Sequence, residues 1–150
     1  MDVKIALFIH VVCVATWFGG TAFMAMYLRD SIRSNSLETM SYSLGKAQRW
    51  NLMMMIPTAV LVLATGIYML MQFASKDQLW IVVKERFGSL VIVLFIVLIA
   101  FYGKKLLKKV QASGIDLSKA QAHVKRYILI HNISLLFMIV LIFFVTVKIA

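Results

Sequence analysis

Acidic side chains are scarce in this chain: six Asp and Glu stand against sixteen Lys and Arg in 150 residues, with one cysteine and one proline. A single cysteine, Cys13, excludes an intramolecular disulfide and any metal site built on a cysteine pair. No Gly-rich phosphate loop and no plausible Ser/His/Asp constellation occurs, so any enzymology has to be cofactor chemistry in which the protein supplies ligands and orientation. Polar stretches are short as well. What remains is apolar: 62% of the residues are hydrophobic and the mean hydropathy is +0.90, against roughly 45–50% apolar in soluble domains.

Four runs, at about 3–28, 52–73, 80–102 and 127–149, reach the ~20 apolar residues that cross a bilayer. Each is expected to be a helix, because open strands cannot satisfy their backbone groups in lipid. The first run is too long and too weakly basic at its start for a cleaved signal peptide, so it is expected to be retained. Short connectors predict an all-α, up-down four-helix bundle, one transmembrane domain over 1–150. Pro57 and Gly66 in the second helix predict a kink or a close approach there. The stretch SIRSNSLETMS reads as a polar loop, and KKLLKKV as a cytoplasmic extension of the third helix.

Basic residues fix the expected orientation. Eleven of the sixteen Lys and Arg fall in the connectors 29–51 and 103–126. That bias places these loops in the cytoplasm and both termini outside; a bacterial inner (cytoplasmic) membrane is the expected location. The net charge of +10 is thus topology and anionic-lipid contact rather than a nucleic-acid surface.

The ionisable residues inside the spans are His10, Lys84, Glu85, Arg86 and His131. Such groups are costly in hydrocarbon and usually face a partner in the bundle interior. By helical rise, His10 lies ~10 Å below the outer surface, Lys84 ~6 Å below it, and His131 ~6 Å from the opposite surface. His10 and His131 are then separated by roughly 14 Å along the membrane normal, too far for two ligands that must each approach one iron to ~2 Å. His10 and Lys84 can meet, given lysine's flexible stem. Two readings stay open for His10, ligation or a hydrogen bond between helices. Lys84 can likewise ligate, or snorkel outward and pair with Glu85. His131 is expected to be a packing or interfacial residue, and His123 a solvated one.

Trp17 follows His10 by seven residues and shares its helix face, while Gly19 and Gly20 allow a helix or a flat ligand to approach the backbone. Ten methionines, including Met53-Met54-Met55, are candidate soft ligands for copper, although consecutive positions point in different directions. Methionine is also a common gap-filler.

The pattern IHVVCVATWFGG resembles the His-to-Trp-x-Gly-Gly signature of small CopD-like membrane proteins, and is similar to that of the HemJ-type protoporphyrinogen oxidases. The likeness continues through RWNLMMMIPTAVLVLATGIYML, LWIVVK, a basic loop and HNISLLFMIVLIFFVTVKIA, nearly the whole chain. It implies b-type haem, with axial ligation of the iron by the helix-one histidine and the lysine opening helix three, here His10 and Lys84. Trp17, Gly19 and Gly20 then shape the pocket. It also implies redox activity, either electron transfer or porphyrin oxidation, with quinone or the respiratory chain as acceptor. The CopD-like branch implies copper uptake or handling instead. The chain departs from the HemJ-type pattern in TAFMAMYLRD, which lacks a proline, and after Asn132, where Ile133, Ser134 and Leu135 follow. A non-catalytic accessory subunit in a homo-oligomer or membrane complex is the remaining alternative.

Overall fold

The computed structural model describes residues 2–72 and 79–147, apart from the side chains at 79, 80, 83 and 84. Four helices account for almost all of it: α1 (Val3–Arg33), α2 (Leu37–Leu70), α3 (79–110) and α4 (Leu117–Val147). Each is long and apolar enough to cross a membrane. In the most apolar window of each, only 17 to 33% of residues are buried inside the bundle. Large side chains such as Phe8, Met53, Phe101 and Leu136 are more than half exposed. An apolar exterior on all four helices suggests a multi-pass membrane protein, because lipid, unlike water, solvates it without cost.

The helices run further than the hydropathy alone indicated. Asp2 caps α1, its carboxylate accepting from the Lys4 amide at 3.0 Å. The helix continues to Arg33 and turns within residues 34–36, where Asn35 takes φ +52° and Ser36 accepts from the Thr39 amide at 3.2 Å. The stretch expected as a loop over 29–51 is therefore mostly helical. Its buried residues Met40, Ser43, Leu44, Ala47 and Gln48 recur at three- and four-residue spacing, the stripe of an amphipathic helix. At the other connector α3 reaches Val110 and α4 begins at Leu117, leaving only 111–116, where Gly114 adopts φ +74°. Buried Leu106 and Val110 pack against the side of α4 that buries Ala120 and Val124.

Three widened π-turns interrupt the helices, Asn51–Met55 in α2, and Val83–Phe87 and Leu98–Gly103 in α3. The first closes with the Ile56 amide donating to the Asn51 carbonyl, immediately before Pro57. Proline has no amide hydrogen and its ring crowds the carbonyl four residues back, so a widened turn at that point accommodates both. The irregularity expected at Pro57 thus takes this form.

Cross-helix contacts alternate end to end, as an up-down bundle requires. Near the end of α1, Arg29 Nη2 donates to Asn132 Oδ1 at 3.2 Å, and Gln121 Nε2 donates to Asn35 Oδ1 at 3.1 Å. Near its beginning, His10 meets Thr65, late in α2. The core between these levels is built from Trp17, Leu28, Leu44, Phe95, Leu106 and Tyr127.

Candidate functional site

At the bundle end where α1 begins and α4 finishes, residues of all four helices line a cavity of about 420 Å³. α1 contributes Leu7, His10 and Trp17, and α2 contributes Gly66 and Leu70. Ile81 and Glu85 come from α3, Met138 and Thr146 from α4. The walls are apolar with a few polar groups, the composition of a small-molecule site, and the volume is within the usual ~300–1,000 Å³.

His10 is held by α2. Its Nδ1 lies 2.9 Å from Thr65 Oγ1, and the Thr65 hydroxyl lies 2.7 Å from the Leu61 carbonyl one turn back. The same hydroxyl lies 3.2 Å from the Val62 carbonyl, so Thr65 ties the ring to the backbone of α2. Nδ1 and the Thr65 hydroxyl are hydrogen-bonded, and the tautomer of the ring sets which of them donates. Gly66 completes the seat: a Cβ there would lie 3.3 Å from His10 Cε1, so the ring rests on the bare backbone of α2. This is the close approach expected at Gly66 from the sequence. The sequence signal for this seat is the pair Thr65-Gly66 inside an otherwise apolar helix.

Trp17 lines the same cavity and is 3% exposed, its ring edge-on to Phe95 at 5.3 Å between centroids. Its Nε1–H has no acceptor among the described residues. A buried donor left in that state costs about 1–3 kcal/mol, which an oxygen atom on a bound molecule would recover.

The glycines expected to shape the pocket do not line it. A Cβ on Gly20 would come within 2.7 Å of Met55 Sδ, so Gly20 serves the α1–α2 packing, while Gly19 faces open space. Helical rotation turns Gly19 half a turn away from His10, whereas Gly20, one turn beyond Trp17, is covered by Met55. The backbone of Lys84 lies in the π-turn Val83–Phe87, between the cavity-lining Ile81 and Glu85, and its side chain lies outside the described residues. Cys13 packs half-buried against the core.

His131 belongs to a second polar cluster. It is fully buried, with Nδ1 3.1 Å from the Tyr127 carbonyl and Nε2 3.1 Å from Asn51 Nδ2. Asn51 also donates to the Tyr127 hydroxyl at 2.8 Å, which donates to Gln48 Oε1 at 2.6 Å. Gln48 Nε2 then donates to the Ile99 carbonyl, within the π-turn Leu98–Gly103, at 2.9 Å. Both nitrogens of His131 are thus engaged, so it is a packing residue, as expected, rather than an interfacial one. His10 and His131 pair with Thr65 and Asn51, fourteen residues apart on α2. Those positions are ~20 Å apart by helical rise, and the two imidazoles cannot share a metal. Gln48, Asn51 and Tyr127 carry no charge at neutral pH, so the charge pattern of the sequence does not single them out.

No group of three or more His, Cys, Asp or Glu side chains is gathered for a metal ion among the described residues. Comparison with protein-family models, with curated proteins and with solved structures gives no match.

Proposed function

We propose that this is a four-helix integral membrane protein of the inner (cytoplasmic) membrane, both termini outside, that binds one b-type haem in the cavity through His10. Its role is electron transfer or porphyrin oxidation. The observation that carries the reading is the seat of His10: Nδ1 is held 2.9 Å from the Thr65 hydroxyl, and the ring stands on the cavity wall. Histidine fixed through its other nitrogen is the usual arrangement of a metal-binding imidazole. Haem supplies one-electron chemistry when bound, with a potential set by its axial ligands and surroundings.

The residues present fit such a group. Ile81, Leu141 and Ile142 give apolar walls, and Gly66 leaves room beside the imidazole. Trp17 Nε1–H is a donor for a peripheral oxygen. Lys84 is the proposed second ligand, since its helix turn borders the cavity. The excess of basic residues in and around the two connectors at the opposite end supports the orientation.

Copper handling, the second reading, draws on Met138, which lines the cavity with His10. Met53-Met54-Met55 does not add to it, because Met53 and Met54 face outward and Met55 packs on Gly20.

The test is the absorption spectrum and metal content of the detergent-purified protein after expression with ample haem. A Soret band lost in His10→Ala and shifted in Lys84→Met supports the proposal. Protein that takes up no haem, even on reconstitution, overturns it, and copper bound without a Soret band favours the second reading.

A further inference from the structure

The end of α3 carries a charged face that the cavity does not use. Lys104, Lys105, Lys108 and Lys109 are all exposed, while Leu106 and Val110 are buried and fix the opposite side of the same two turns. The four lysines border a shallow surface groove with Phe101 and Ala112. None of the four forms an ion pair among the described residues; the ion pair at this end joins Arg33 to Asp30. The pairs 104/108 and 105/109 are like charges four residues apart, an arrangement that repels within a helix unless an anion lies between.

The level of this face is marked independently. Phe101, one turn before the lysines, is 74% exposed. On neighbouring helices Phe23, Tyr27 and Trp50 form an aromatic cluster, with Lys46 Nζ 5.0 Å above the Trp50 ring. Gly45 abuts Gln111 and Leu107, which puts the start of α2 level with the lysines. Aromatic rings beside lysines are the pattern of the boundary between hydrocarbon and headgroups.

We infer that Lys104, Lys105, Lys108 and Lys109 form a binding face for the phosphate headgroup of an anionic membrane lipid, whose acyl chain lies against Phe101. This rests on the membrane-spanning part of the proposal above and not on haem. Phosphate matches the charge, and a lipid alone also supplies the chain that covers an exposed phenylalanine.

The test titrates detergent-purified protein with phosphatidylglycerol, phosphatidylcholine or glycerol phosphate, reading the thermal midpoint and retained lipid by native mass spectrometry. Phosphatidylglycerol should bind and raise the midpoint, less so at high salt. Each Lys→Gln change should weaken it about fivefold, and the quadruple change by a few hundredfold. The quadruple Lys→Arg variant should retain binding, which controls for misfolding of the Gln variant. Equal stabilisation by phosphatidylcholine, an unaffected Gln variant, or glycerol phosphate matching the lipid would each overturn the inference. Failure here leaves the Soret band in place, and failure of haem binding in His10→Ala leaves the lipid response in place.

Discussion

Across the contact between α1 and α2, His10 Nδ1 lies 2.9 Å from the hydroxyl oxygen of Thr65, and Gly66 lies under the same ring. Two neighbouring residues of one helix therefore set the position of an imidazole on another.

Thr65→Val keeps the shape of the side chain and removes the hydroxyl. The stability cost is expected to be small, about 1 kcal/mol for one partly buried hydrogen bond. The effect on a ligand held by Nε2 should be larger, ~10–100-fold in affinity, because the ring loses its anchor. Haem titration followed by absorbance, beside a thermal melt, separates the two.

Gly66→Ala works in the opposite sense on stability. Alanine is favoured over glycine inside a helix by roughly 0.5–1 kcal/mol. The new methyl would press on His10 Cε1 from 3.3 Å, and the ring can give way into the cavity. The melting midpoint should stay level or rise while haem uptake falls. A variant that is as stable as the parent and takes up haem equally well removes Gly66 from the site.

Tyr127→Phe deletes the hydroxyl that joins Asn51 to Gln48. Interhelical hydrogen bonds in membranes average ~0.6 kcal/mol, but here an Asn51 donor hydrogen and the Gln48 Oε1 acceptor both lose their partner, so about 1–2 kcal/mol is expected. Gly103→Ala should cost at least as much. Its methyl would come within 2.9 Å of both Gln48 Oε1 and the Tyr127 ring, and that ring is fully buried with no space to retreat. Chemical denaturation in detergent measures both.

His131→Ala distinguishes the two imidazoles. Because both ring nitrogens of His131 are engaged within the core, its removal should lower stability and leave the haem spectrum unchanged. Loss of the Soret band in a folded His131→Ala protein would count against the assignment of His10.

Trp17→Phe removes a buried donor that has no acceptor among the described residues. The lost donor and the lost ring volume act in opposite directions on the ligand-free protein, so its midpoint should change by less than about 1 kcal/mol. Ligand affinity should fall clearly, because the hydrogen bond forms only with the cavity filled. A double-mutant cycle with Thr65→Val, read as ligand affinity, shows whether the two residues act on one molecule.

Much of the fold was legible before any coordinates. Runs of twenty apolar residues leave few alternatives to membrane-crossing helices, and a single proline and short connectors leave little room for other elements. The helical segment Leu37–Trp50 was legible too, in the spacing of Met40, Ser43, Leu44, Ala47 and Gln48, but its polar remainder made it resemble a loop. The separation of His10 from His131 also followed from sequence, since depth in a helix is a matter of counting residues.

By itself the sequence determined four apolar helices, their up-down order and the presence of an imidazole on the Trp17 face of the first, because hydropathy and helical rise are properties of each segment alone. Only the tertiary structure decided what that imidazole meets. Thr65 under Nδ1, the bare backbone of Gly66, the lone donor of Trp17 and the removal of Gly19 and Gly20 from the cavity all depend on how helices rotate against one another. In spans apolar on nearly every side, hydrophobicity does not fix that rotation. It is fixed by the packing of small residues and by the few polar groups that must find partners away from water.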